Sequence, residues 1–109
     1  MAENMIEFSE WQKMDFRVGQ IKEVNDHPNA DKLYVMKVDI GEKIIQLVAG
    51  IKPYYTKDKL LNKKIIVFAN LKPVELRGVM SEGMLLAADG KDVSVLTVDK
   101  DSKVGSKIR

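Results

Sequence analysis

The sequence predicts an all-β fold: a small barrel of five strands with a short helix before it, a helical turn inside it and further strands after it. Three observations predict this. Short apolar runs recur along the chain with Gly, Asn, Asp and Pro between them, which is the pattern of an antiparallel all-β domain. Residues 51–63 break that pattern with Pro53 and a cappable helical turn, placed between the third and fourth runs. The 109-residue chain, 45% hydrophobic but only 6% aromatic, holds enough for one core, and that core must be aliphatic.

Taken in order, residues 1–4 carry no pattern and are expected to fray. Residues 1–7 are read as a tail and 8–109 as the domain. Phe8 to Asp15 reads as a short helix, with Ser9 as N-cap, Gln12 at capping-box spacing, and Trp11 and Met14 on one face. Such a helix either plugs the core or covers a dimer interface. Asp15 to Val24 reads as the first strand, and Gly19 at its break in alternation predicts a bulge or bend. Asn25 to Lys32 is a turn-rich loop holding His27, the one histidine. With no second histidine and no cysteine to join it, His27 is expected to hydrogen-bond within the loop rather than act as a base or metal ligand.

Leu33 to Ile40 reads as the second strand, with Tyr34, Met36, Val38 and Ile40 on one face. Gly41-Glu42 turns the chain into the third strand, Ile44 to Ala49, so the two form a hairpin. Thr56 can cap a helical turn that runs through Leu60 and Leu61 and ends near Asn62. Lys64 to Ala69, nearly all apolar, reads as a fourth strand buried on both faces. Met84 to Ala88 is the fifth, Asp89-Gly90 a turn, and Val93 to Val98 a further strand. The polar tail from Asp99 has Val104 and Ile108 as its large apolar anchors. Five strands with a helical turn between the third and fourth describe an oligonucleotide-binding barrel, in which that turn plugs the open end.

Composition excludes several classes of function. No apolar run approaches membrane-spanning length, and no charged leader with an apolar segment opens the chain. The absence of cysteine removes disulfides, thiolate metal sites and cysteine nucleophiles, and is consistent with a cytoplasmic protein. Neither a phosphate-binding loop nor a dinucleotide fingerprint nor His-Glu-x-x-His occurs, and Ser81 has no histidine near it. No catalytic residue, metal site or cofactor is predicted. The net charge of +2 is too small to argue nucleic-acid binding alone.

Asn70 to Met84 holds the chemistry that remains. Read as a long connection between the fourth and fifth strands, it belongs on the surface. It offers Asn70, Lys72, Arg77 and Ser81 to phosphate, sugar or base edges, and Met84 to a base face. Lys32 and Lys52 add positive charge from elsewhere. Tyr34, Tyr54 and Phe68 are candidate stacking groups, the equipment for holding unpaired or looped RNA.

An ordered series of short stretches resembles the tRNA-binding domain family. They are Asp15-Phe16-Arg17-Val18-Gly19, His27-Pro28-Asn29-Ala30-Asp31-Lys32-Leu33-Tyr34, Val38-Asp39-Ile40-Gly41 and Val48-Ala49-Gly50-Ile51. Asn70-Leu71-Lys72-Pro73, Leu76-Arg77-Gly78 and Ser81-Glu82-Gly83-Met84-Leu85-Leu86-Ala87 complete the series. The family includes C-terminal domains and β subunits of methionyl-tRNA synthetases, free-standing tRNA-binding proteins, the chaperone-like CsaA proteins and the C-terminal module of endothelial monocyte-activating polypeptide. The resemblance implies an oligonucleotide-binding fold dimerised through its C-terminal additions and N-terminal helix. It implies a homodimeric, non-catalytic partner of the synthetase's catalytic part that binds the outer corner of tRNA. It also implies RNA-binding roles for Lys32, Asn70, Lys72, Arg77, Ser81 and Met84. Two positions depart from the family's pattern: Ala49 stands where serine is common, and Glu75 where lysine is common. The alternatives are a peptide-binding export chaperone like CsaA and a free-standing tRNA binder.

Overall fold

Five antiparallel strands wrap an aliphatic centre in the computed structural model, which describes residues 4–109. The fraying expected of residues 1–4 falls almost wholly outside that range, and Asn4 is exposed. The barrel strands are β1 (Phe16–Asp26), β2 (Tyr34–Asp39), β3 (Ile44–Ala49), β4 (Lys64–Phe68) and β7 (Met84–Leu85), hydrogen-bonded in the order β3-β2-β1-β4-β7. Between β4 and β7 stands a hairpin of β5 (Val74–Leu76) and β6 (Val79–Ser81), and after β7 comes a second hairpin of β8 (Ala87–Asp89) and β9 (Val93–Val95).

The seam that joins β3 to the end of β6 and the link into β7 is built partly from side chains. The Glu82 N–H donates to the Gln46 carbonyl (2.7 Å), the Gln46 N–H to the Glu82 carboxylate (2.7 Å), and the Val48 N–H to Ser81 Oγ (3.0 Å). The predicted face of β2 is the buried one: Tyr34, Met36, Val38 and Ile40 all lie in the core, with Ile21, Leu47, Ile65 and Val67 facing them. The helical turn α2 (Lys57–Leu60) sits where expected, and its fully buried Leu60 packs into the core. Thr56 makes no capping bond to the backbone.

Several expectations are corrected. Helix α1 (Phe8–Lys13) starts one residue earlier than Ser9, its N-cap is Glu7 without a side-chain cap, and none of its residues is buried. It is therefore not a plug. Met14 has already left the helix, and Trp11 stacks on Phe16 at 5.6 Å instead. Strand β1 runs through Gly19 unbroken, and its irregularity falls at Lys22, between Ile21 and Glu23. Gly19 serves packing: a Cβ there would lie 2.8 Å from a Val38 methyl and 2.9 Å from a Val67 methyl. Strand β4 is buried on one face only. Ile65 and Val67 point inward, while Ile66 and Phe68 are half-covered from outside. The predicted fifth strand divides, because Leu86 breaks β7 from β8 and hands the chain to the outer hairpin.

The C-terminal tail is ordered onto β1. The Gly105 N–H donates to Val18 O (2.7 Å), the Val18 N–H to Ser106 O (2.9 Å), and the Ile108 N–H to Phe16 O (2.9 Å). Strand β2 pairs only with residues 20–26 of β1, so this tail covers the edge that residues 16–18 would otherwise expose. Gly41 and Gly105 meet where a Cβ on Gly41 would stand 2.8 Å from the Gly105 Cα, and both have positive φ, which no other residue adopts as cheaply.

Candidate nucleic-acid interface

The stretch Asn70–Met84 is not a plain bend. It contains the β5–β6 hairpin, turned at Arg77 and Gly78 with φ of 55° and 92°. Positive φ at both central residues marks the tight turn whose twist matches the strands it joins. Glycine supplies it freely. For Arg77 the backbone is uncommon, so this side chain is held at the hairpin tip at some conformational cost.

The tip is clasped to the loop between β1 and β2. His27 is 6% exposed. Its Nε2 lies 2.9 Å from the Leu76 carbonyl, and its Nδ1 accepts from the Asn29 N–H at 2.9 Å. The Asn29 side chain donates to Arg77 O (3.2 Å), and Arg77 Nη2 donates back to Asn29 O (3.3 Å). His27 therefore does hydrogen-bond within its loop as expected, and also reaches a second element 49 residues away.

This clasp brings Lys32 and Arg77 together. With Ala30, Asp31 and Leu33 they line a shallow concavity of about 370 Å³. Among the described residues no carboxylate lies within ion-pairing distance of Lys32, Lys72 or Arg77. Lys52 differs. It and Lys57 both grip Asp26, at 3.1 and 3.3 Å, and these contacts hold the Asp26 carboxyl below the usual carboxylate range. Lys72 is exposed in the turn before β5, outside the concavity.

The remaining predicted residues are placed differently. Ser81 is buried at 1% exposure, and its hydroxyl donates to Gly83 O (2.7 Å) while accepting from Val48. Both of its main bonding directions are used by the barrel seam. Asn70 likewise spans two backbone groups, accepting from the Asp15 N–H (2.8 Å) and donating to Lys13 O (2.7 Å), which fixes the end of α1 against the end of β4. Met84 stands directly opposite Phe68, so the two share the outer face of β4 and β7, and Met84 does not line the Lys32–Arg77 concavity.

Of the stacking candidates, Tyr34 is a core residue whose hydroxyl donates to Tyr55 O (2.7 Å), and Phe68 is half-buried against Phe16 at 4.7 Å. Tyr54 alone is well exposed. Sequence reasoning did not single out Asn29 or Gln46. Asn29 ties the loop to Arg77, and Gln46 braces the hairpin by donating to Met80 O at 2.8 Å. Their pairing across 48 and 34 residues leaves no local trace in the sequence.

A second surface is wholly apolar. Trp11, Phe16, Ile66, Leu86, Leu96 and Ile108 line a concavity of about 300 Å³ on the outside of β1 and β4. Among the described residues no cluster of metal-ligating side chains occurs, and no helix is long and apolar enough to cross a membrane.

Residues 16–107 match the family described as "Putative tRNA binding domain". The chain is 56% identical over 105 residues to a methionine–tRNA ligase of Thermococcus onnurineus, and 52% identical over 106 residues to that of Methanocaldococcus jannaschii. Each alignment covers 95% of this chain but only 14% and 16% of those relatives, so the chain spans about a seventh of their length. Among solved structures it resembles the CsaA chaperone protein of Picrophilus torridus, with TM-score 0.88 and 38% identity over 96% of this chain and 100% of that one. It also resembles a MetRS-related protein of Pyrococcus horikoshii, with TM-score 0.89 and 30% identity over 97% and 99%.

Proposed function

Starting from a chain that belongs to the tRNA-binding domain family, we propose that it binds tRNA by shape, as a homodimeric, non-catalytic accessory part of a methionyl-tRNA synthetase. The observation that carries this reading is the rim at which the hairpin tip and the β1–β2 loop converge. Lys32 and Arg77, without carboxylate partners among the described residues, stand together there on a braced scaffold. Unpaired cations held in a fixed spacing suit the phosphate path of a folded RNA, whereas base-by-base readout would need more edge-reading groups than the rim offers.

Lys32, Arg77 and Lys72 are the proposed phosphate contacts. Asn70 and Ser81 act on RNA by holding the frame, and Met84 is the proposed contact to a base face. Residues 8–109 form the binding unit and residues 1–7 its tail. In the cytoplasm the module raises the local concentration of tRNA beside the catalytic part, which multiplies the affinity of both without new chemistry. The apolar concavity formed by Trp11, Phe16, Leu96 and Ile108 is the proposed dimer face. Two copies joined there present two rims to one L-shaped tRNA.

Titration with several purified tRNAs tests the reading. Arg77→Ala should weaken binding to all of them alike, with a shallower dependence on salt. Loss confined to one tRNA would refute recognition by shape. Sedimentation of Leu96→Asp tests the dimer, with a monomer expected. The likeness to a CsaA chaperone favours a second reading, extended-peptide binding at the same groove. Parallel titration with an unfolded polypeptide separates the two, and tighter binding of the polypeptide at physiological salt would favour the second.

A further inference from the structure

His27 sits at the one place where the two RNA-facing elements are fastened together, and its chemistry there is determined by its partners. The Asn29 peptide N–H can only donate, so Nδ1 must be unprotonated. The Leu76 carbonyl can only accept, so Nε2 must carry the proton. A single neutral tautomer satisfies both. A second proton on Nδ1 would set N–H against N–H at 2.9 Å in a buried site.

We propose that the buried His27 imidazole is a pH-sensitive clasp: neutral, it locks the β1–β2 loop to the hairpin tip and so fixes Lys32 beside Arg77; protonated, it releases them and weakens tRNA binding. This rests on the proposed function above. His27 touches no RNA and is a positioning residue. Arg77 Nη2 and the Asn29 amide also cross the same gap, at 3.3 and 3.2 Å, but from exposed groups. The two imidazole bonds form the buried part of the fastening.

The charged groups around the ring come from its own segment, from the hairpin and from the elements packed behind them. On its own segment lie Asp26, Asp31 and Lys32; on the hairpin, Glu75 and Arg77. Lys52 and Lys57 approach from the turn after β3 and from α2, where they occupy the Asp26 carboxylate. None of these carboxylates is a partner of either ring nitrogen.

The direction of the effect separates this clasp from the ordinary role of a histidine in an RNA-binding protein. A histidine that touches phosphate gains charge on acidification and binds RNA more tightly. His27 should do the opposite. The chain holds one histidine and no cysteine, so no second imidazole and no thiol competes as the source of such an effect.

The test is tRNA binding by the full chain at constant ionic strength from pH 8 to pH 5.5, for the wild type, His27→Gln and Arg77→Ala. Wild-type affinity should fall about five- to tenfold as pH drops, the scale of one buried hydrogen bond turned repulsive. His27→Gln, whose amide can still donate to Leu76 O but does not titrate, should show a flat profile. Arg77→Ala should bind weakly throughout. Wild-type affinity that rises or stays level on acidification overturns the clasp, as does a His27→Gln profile that still falls. Failure of the wild type to bind tRNA at pH 8 overturns the tRNA reading instead. Ring-nitrogen NMR on the RNA-free protein gives an independent measurement. The Nε2–H tautomer at pH 8 is expected, and an Nδ1–H tautomer would refute the clasp whatever the RNA does.

Discussion

Replacing Ser81 by alanine removes one oxygen from the barrel seam and should cost far more than a surface serine would. Two bonds disappear: the Val48 N–H loses its acceptor at 3.0 Å, and the Gly83 carbonyl loses its donor at 2.7 Å. Val48 is fully buried, so water cannot readily replace the hydroxyl. An orphaned buried donor costs about 1–3 kcal/mol. The lost bond to Gly83 brings the expected total for Ser81→Ala to about 2–4 kcal/mol. Against a typical stability of about 5–15 kcal/mol that is a large fraction, and it should lower the thermal midpoint by about 10 °C or more. Urea unfolding at matched protein concentration measures it, since any self-association adds a concentration-dependent term. Below the transition, the folded variant should keep tRNA affinity within about twofold of wild type, because Ser81 acts through the frame. A variant as stable as wild type to within about 0.5 kcal/mol, yet deficient in tRNA binding, would refute this reasoning and put the hydroxyl in contact with RNA.

Three further outcomes are expected. Gly19→Ala forces a methyl against Val38 and Val67 and should destabilise by about 1–3 kcal/mol; combining it with Val38→Ala should recover part of that loss in a double-mutant cycle. Glu75→Lys reverses an exposed charge on the hairpin, opposite Met80; it should tighten tRNA binding and steepen its salt dependence, and no change would place Glu75 away from the phosphate path. Asp26, Asp58 and Asp101 have lowered carboxyl pKa values through Lys52 and Lys57, Thr56, and Lys64 respectively. A lowered folded pKa means the contribution is complete above the unfolded value and fades as pH falls through the folded one. The triple Asn variant should therefore lose less stability than wild type on acidification below the usual carboxylate range.

The sequence speaks plainly where one physical demand dominates a segment. Alternation fixed the buried face of β2, because Tyr34, Met36, Val38 and Ile40 meet only one core. The break at Pro53 placed α2 for a similar reason: a strand interior cannot hold it. Alternation failed at β4, where Ile66 and Phe68 are apolar for a second reason. Ile66 lines the outer apolar concavity and Phe68 packs on Phe16 beside it, rather than in the core. The β5–β6 hairpin stayed hidden because Arg-Gly is an uncommon pair for a turn that requires positive φ twice. For the candidate site, the sequence offers residue types but not their arrangement. Lys32 and Arg77 are joined, Ser81 and Asn70 are absorbed into the frame, and Met84 is turned to another face. Such sorting depends on contacts between distant segments, which no local pattern records.

The tail that covers β1 has a consequence for how the protein is made. Arg17 and Lys107 are bridged although about ninety residues separate them, so the first barrel strand leaves the ribosome long before its cover exists. Until residues 105–108 arrive, Phe16 to Val18 present an open strand edge. The barrel edge is complete only when residues 105–108 have docked, and docking them closes a long loop. Removal of residues 105–108 should therefore do more than fray a tail. It would uncover the edge of a central strand at residues 16–18, and aggregation through that edge would follow.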